Sequence, residues 1–400
     1  MTADDQLRPM QELNGVHRGL IVLHTAVTAN RLLPIYEALA YCNPHVRWHF
    51  TVGPDHYNGG VAESLAARGI EIINWKTLLN GLQPNFGVAL AAAFGGLETL
   101  TIPVVKLTHG ALNDKTTPRG LGLGAETPRQ QYGLGGESLQ RHGREIATRL
   151  VVAHEDQLAP FAREQNRWLD TVRVMGDPLV DQIDAHLHLR DYYRKLLGVE
   201  PGMKLVVVTS TAGPQSLWRN RPEVLDRLVR ELPPDRYRII VIMHPHLDYA
   251  WRAQLDATLG RLYAAGVRKV PADQDWAVAL IAADWVIGDH GSVLHYATRT
   301  PATLLTAGFA SGEVEPGSAR ALLGRVVPEL ADDRPLEPQL LAAAAPEVVG
   351  RYADAGRQLS SCPGEFAANL RRELHHLLHA PEPDVLARMP ELVVPTLIDR

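Results

Sequence analysis

The chain is 400 residues long, 46% hydrophobic and 21% charged, with a net charge of −5 at pH 7. That length exceeds what one hydrophobic core usually holds and predicts two domains of about 150–200 residues each. The composition excludes a disordered chain, no apolar run reaches the roughly 18–20 residues of a membrane span, and the acidic balance argues against a nucleic-acid binder.

Residues 1–16 are polar and aperiodic and read as a flexible tail. They carry no basic region followed by an apolar stretch, so no secretory signal is seen and a cytoplasmic location is expected. Gly19–His24 is a short apolar run followed by a helical pattern at Leu32–Leu39. Val46–Val52 reads as a strand, Val61–Arg68 as a helix and Ile70–Ile73 as a strand. Gly87–Phe94 is ambiguous. Ile102–Leu107 is a strand that ends directly on Thr108-His109-Gly110. Residues 113–136 hold many glycines and little hydrophobic pattern, which marks a functional loop after a strand end. Leu150–Ala153 resumes the sheet, a helix follows at His154–Gln165, and Val172–Met175 ends at Gly176-Asp177-Pro178. The repeated strand–helix alternation predicts a parallel sheet with helices on both faces.

A charged helical connector spans 179–202, and a second alternating unit follows. Its strands are Leu205–Val208, Tyr237–Met243, Val267–Val270, Trp285–Ile287 and Ala302–Leu305. The helices between them are Glu223–Leu232, Trp251–Ala264, Trp276–Ala282 and Val293–Thr298. Terminal helices are predicted at Glu347–Leu359 and Glu365–Leu378, and a loosely held tail after 380. The expected domains are therefore 17–178, 203–345 and a helical 346–380, with tails at 1–16 and 381–400. Cys42 and Cys362 form neither a zinc pattern nor a disulfide framework, and fit a reducing compartment.

The polar loops follow strands, the edge where open α/β sheets bind ligands. His109 stands at one such end beside Gly110, and an imidazole titrating near neutrality suits a general base. His244 is oriented by Pro245 and presents a donor to a phosphate oxygen. In Asp289-His290-Gly291-Ser292, small residues let a backbone approach a ligand, and Ser292 is placed as the cap of the next helix. Thr209 and Ser210 end the first strand of the second half. There is no Walker A motif and no GxGxxG fingerprint. The run Glu373-Leu-His375-His376-Leu-Leu-His379 has helical histidine spacing without a second cluster. It reads as a solvated helix face, so no metal site is expected.

Taken in order, these pieces resemble the CDP-glycerol glycerophosphotransferases, the teichoic-acid primase and polymerase type of GT-B fold. The resemblance runs from about 100 to 305, through His109-Gly110 to Lys115, Ala153-His154-Glu155, Gly176-Asp177-Pro178-Leu179-Val180-Asp181, Ile242-Met243-His244-Pro245 and Gly288-Asp289-His290-Gly291-Ser292. Leu179 and Ile242 stand where that family has arginines, and a charge-assisted hydrogen bond to a phosphate is worth roughly 1.5–3 kcal/mol. The resemblance implies two Rossmann-like α/β domains facing across a cleft. It also implies a metal-independent transferase moving a glycerol-phosphate or glycosyl group from a nucleotide-diphosphate donor to an acceptor hydroxyl, with no cofactor. His109 would be the base and Glu155 the second catalytic candidate. The donor would lie on Thr209, Ser210, His244, Pro245, Asp289, His290, Gly291 and Ser292, with Gly110 and Lys115 on a loop that closes over the site. Peripheral membrane contact is compatible with this reading. A UDP-sugar 2-epimerase using carboxylates such as Asp114 and Glu126, or a nucleotide-binding relative without activity, are the alternatives.

Overall fold

A computed structural model of the protein describes residues 16–55, 59–116, 131, 133–134, 139–141, 143–164 and 168–399. Residues 1–15 of the expected tail at 1–16, Glu126 and most of the loop at 113–136 lie outside these residues. The chain divides into two compact units that are not continuous in sequence. The first contains residues 1–112, 133–178 and 361–390, and the second 113–132, 179–360 and 391–400. The sequence pattern instead places 113–136 inside a first domain ending at 178 and sets the terminal helices apart.

In the first unit, the strands are β1 (His17–Leu23), β2 (Val46–Val52), β3 (Ile72–Ile73), β4 (Val88–Ala91) and β5 (Val104–Lys106). A small antiparallel hairpin follows, β6 (Gln140–Arg141) and β7 (Arg144–Glu145), and then β8 (Arg149–Val152) and β9 (Val172–Val174). The main sheet is parallel in the order β3-β2-β1-β4-β5-β8-β9. Its central strands are apolar on both faces because helices and turns cover both, and Leu20 through Leu23 are fully buried. The ambiguous stretch at 87–94 is the strand β4, too short and alanine-rich to declare itself.

The helix Ala26–Cys42 starts on a capping box between Thr25 and Thr28. It shares one core with Phe366, Leu370 and Leu374 of the helix Phe366–Leu377. The expectation of a solvated face there holds for the exposed His376 and His379 and fails for Leu374 and His375. His375 is buried with Nε2 2.9 Å from Asn43 Oδ1, and Glu373 pairs with Arg149 and Arg173.

The second unit holds β10 (Lys204–Ser210), β11 (Tyr237–Met243), β12 (Arg268–Lys269), β13 (Trp285–Gly288) and β14 (Thr303–Thr306). They form a parallel sheet in the order β12-β11-β10-β13-β14. Two helices not anticipated from sequence, Ala319–Val326 and Leu336–Ala343, complete this unit. The connector is two helices, Pro178–His186 and Arg190–Leu196, broken by a 3₁₀ turn. The end of the chain is not loose. Ile398 and Lys269 exchange backbone hydrogen bonds, Val393 N–H donates to Asp275 and Thr396 N–H to Gln274, and His186 contacts Glu391. These bonds tie residues 391–399 to the β12 side of the sheet.

Candidate functional site

In each sheet, the strand order reverses direction at one point, between β1 and β4 in the first unit and between β10 and β13 in the second. The carboxyl ends at such a switch point are where open α/β sheets leave a crevice.

At the second unit's switch point, Asp289 is the organiser. It is buried, and its carboxylate accepts the backbone N–H groups of Thr211, Leu217 and Gly291, each at 2.9 Å. The loops after β10 and β13 are thereby clasped together. Ser210 joins them, accepting from Trp218 N–H at 3.0 Å and donating to Thr211 O at 3.0 Å. Thr209 is buried beneath, where its methyl carbon would lie 2.6 Å from a Cβ at Gly288, so only glycine fits. Of the expected donor-binding residues, Asp289, Ser210 and Thr209 thus use their polar groups and volume within the unit. Burial raises the Asp289 pKa, and the three N–H groups and Lys115 oppose that rise in part.

His244 follows β11 and caps the helix Pro245–Ala250, with Pro245 as its first residue. Its Nδ1 accepts the N–H of His246 at 3.1 Å. A neutral imidazole so placed carries its proton on Nε2, which makes that atom a donor. His290 is buried edge-on to Phe309, and burial with the nearby Lys115 and Arg320 pushes its pKa down to about 3. It is neutral at any ordinary pH. Its Nδ1 has no hydrogen-bond partner among the described residues. Gly291, not Ser292, caps the following helix, and Ser292 is that helix's first, half-buried residue.

Segment 113–116 belongs to this unit and brings two charges to the same edge. Glu315 N–H donates to Asp114 O at 2.8 Å, and Thr116 N–H to Glu313 O at 3.2 Å. Lys115 Nζ lies 3.4 Å from Thr211 Oγ1, and burial pulls its pKa down to about 8. Asp114 is pushed up to about 6 by burial, and its carboxylate accepts Arg320 N–H at 3.3 Å. Arg320, only 2% exposed, donates to His290 O at 3.0 Å and reaches Ser292 Oγ at 3.5 Å. Sequence reasoning missed Arg320, which lies in a stretch with no assigned element. Its one local signal is Ser318, the cap of the helix it opens.

In the first unit, His109 is exposed on the bend after β5. A buried ion pair braces that bend. Arg31 binds both carboxylate oxygens of Asp177, at 2.7 and 3.3 Å, and donates from Nε to Thr108 O at 3.1 Å. Thr108 Oγ1 in turn donates to Gly110 O at 3.0 Å. Glu155 is exposed at the start of a 3₁₀ turn after β8, its N–H bonded to Ser361 Oγ at 2.8 Å. Among the described residues, no group of three His, Cys, Asp or Glu side chains is placed to hold a metal ion, and no helix is long and apolar enough to cross a membrane.

Two parallel, helix-covered sheets, each with a single reversal of strand order, match known structures over nearly the whole chain. A structure of the wall teichoic acid polymerase TagF superposes with a TM-score of 0.59 at 16% identity, covering 92% of this chain and 91% of that one. The fold is GT-B. A proposed UDP-N-acetylglucosamine 2-epimerase from Listeria monocytogenes shares it with a TM-score of 0.56 at 16% identity, over 95% of this chain and 99% of that one. So does Anabaena Alr3699/HepE in complex with UDP and glucose, with a TM-score of 0.50 at 13% identity, over 90% and 98%. No protein-family model and no curated protein matches this GT-B chain.

Proposed function

We propose that the chain is a transferase that moves a group from a nucleotide-diphosphate donor to an acceptor hydroxyl. The second unit holds the donor, and His109 of the first is the general base. The observation that carries this reading is Lys115: a half-buried ammonium, lowered to a pKa of about 8, beside Thr211 at a sheet switch point. Asp289 and Glu313 offset the desolvation of Lys115 only in part, and a diphosphate adds the further negative charge that favours its protonated form. His244 Nε2 and Ser292 Oγ add donors, and Arg320 fixes Ser292 and the His290 carbonyl from behind. Lys115 thus supplies a cation in place of the arginines that Leu179 and Ile242 replace.

His109 takes the proton of the acceptor hydroxyl as the oxygen attacks. Attack at the distal phosphorus of a CDP-glycerol-like donor transfers glycerol phosphate and releases the nucleoside monophosphate. Attack at the anomeric carbon of a UDP-sugar transfers the sugar and releases UDP. The donors to try follow from the fold neighbours, one of which is a TagF variant soaked with CDPG and another a complex with UDP and glucose.

The test is calorimetry with CDP and UDP on the parent and Lys115→Met, followed by detection of CMP or UDP released from CDP-glycerol and UDP-glucose. Lys115→Met is expected to weaken nucleotide binding at least tenfold. Unchanged affinity, or no nucleotide bound by the parent, overturns the donor site. Tight binding by the parent with no release from either donor overturns the transferase and leaves a nucleotide-binding protein.

A further inference from the structure

Lys106 is one of only six lysines in the chain, and it ends β5. Strand alternation puts it on the face of Val104, opposite Ala91 on β4 and Leu150 on β8, a face that is otherwise apolar. It is 2% exposed. The ring of Phe94 lies 3.8 Å from its amine, and no carboxylate pairs with it among the described residues. Lys269, equally buried, is paired with Asp248. Burying an ammonium without an acid costs several kcal/mol, and a methionine would fill the same space without that cost.

A second buried base stands at the same edge. His24, directly after β1, is fully buried, with Nε2 2.8 Å from Gly95 O and no partner for Nδ1 among the described residues. Gly95 follows Phe94, and a Cβ there would fall 1.9 Å from Pro54 O, so the loop that carries the ring is tightly held. His24, Phe94 and Lys106 therefore gather at the switch point of the first sheet, with His109 three residues beyond Lys106.

We propose that Lys106 is an anion-binding residue that takes an oxyanion of the acceptor, phosphate or carboxylate, with the Phe94 ring as its apolar wall. This deepens the transferase reading and rests on it for the word acceptor, whereas anion binding itself requires no donor. Burial alone lowers the amine to about 7, with no charged neighbour contributing. The other titratable groups described at this edge are His24, lowered by burial with the charge of Asp55 opposing, the exposed His109, and the Arg31–Asp177 pair that braces the bend after β5. An arriving anion draws a proton from solvent onto the amine, so binding at pH 8 takes up about 0.9 proton.

The experiment titrates glycerol 3-phosphate, glycerate and glycerol into the full chain at pH 8 without nucleotide, in two buffers of different ionisation enthalpy. The two anions are expected to bind at least tenfold more tightly than glycerol, with proton uptake. Lys106→Met loses both the preference and the uptake, while Lys76→Met, which removes an exposed lysine outside both sites, keeps them. Lys106→Gln, which keeps a polar head without charge, is the second variant should the methionine protein not fold. Four outcomes overturn the proposal: no anion binding, no preference over glycerol, binding that survives in Lys106→Met, or binding that is lost in Lys76→Met. Lys106-dependent anion binding without donor turnover removes the transferase and keeps this site. Turnover without Lys106-dependent binding does the reverse.

Discussion

An imidazole at a strand end becomes a base only if its turn is held still and its ring stays accessible. His109 meets both conditions, through the Thr108 hydrogen bonds and its exposure. His109→Asn is therefore expected to lower turnover about 10²–10⁴-fold and to leave the CDP dissociation constant within a factor of two, read by steady-state kinetics and calorimetry. Lys115 predicts a pH dependence. Only its charged form attracts a phosphate, and its free pKa is about 8, so CDP affinity is expected to be flat below pH 8 and to fall above it. The same decline is absent in Lys115→Met. Lys106 predicts an effect of opposite use. Its pKa is about 7 in the folded chain against 10.5 for a free lysine, so the unfolded state holds the extra proton between those values. Stability then rises with pH across that window, and the deficit is complete below about pH 7. Lys106→Met is expected to raise Tm most at pH 6–7 and hardly at pH 10, by calorimetric scans.

At the scale of elements, the bend after β5 hangs on an ion pair from two other places in the chain, the helix Ala26–Cys42 and the turn after β9. Arg31 and Asp177 are 8% and 0% exposed at their side chains. Arg31→Met takes the cation from a buried carboxylate, and urea denaturation is expected to show a loss of about 3–5 kcal/mol. Strands were the legible part of this architecture. Val46–Val52 and Tyr237–Met243 run as predicted, the first because its apolar residues alternate with polar ones at the period of a strand, the second because a nearly continuous apolar stretch bounded by turns suits a covered parallel sheet. The loops that follow strands were legible as a class, since the topology sends them to one edge. Their inner division of labour was not. Nothing in Asp289-His290-Gly291-Ser292 says that the acid clasps three backbone N–H groups and turns inward. Lys106 reads as the last residue of an apolar run, and its isolation emerges only from the neighbours that β4 and β8 supply. Arg320 belongs to a helix whose short, proline-bounded pattern carried no periodic signal.

Over the whole molecule, the order of residues along the chain is not the order of the units. The first unit is completed by residues 361–390, and the second by 113–132 and 391–400. A fragment spanning only 179–360 lacks Lys115 and is expected to bind CDP at least tenfold more weakly than the full chain. Removing residues 391–400 takes away the hydrogen bonds to Gln274, Asp275 and Lys269. Calorimetry is expected to show a lower-melting transition for the second unit and an unchanged one for the first. The strap also bears on how the molecule behaves among its own copies. β12 is the outermost strand on its side, and an open strand edge is a template for a stranger's backbone. Ile398 occupies the Lys269 amide and carbonyl from within the same chain. Proteolytic trimming of the last residues is therefore expected to show first as turbidity and rising light scattering with concentration, the mark of sheets adding to sheets.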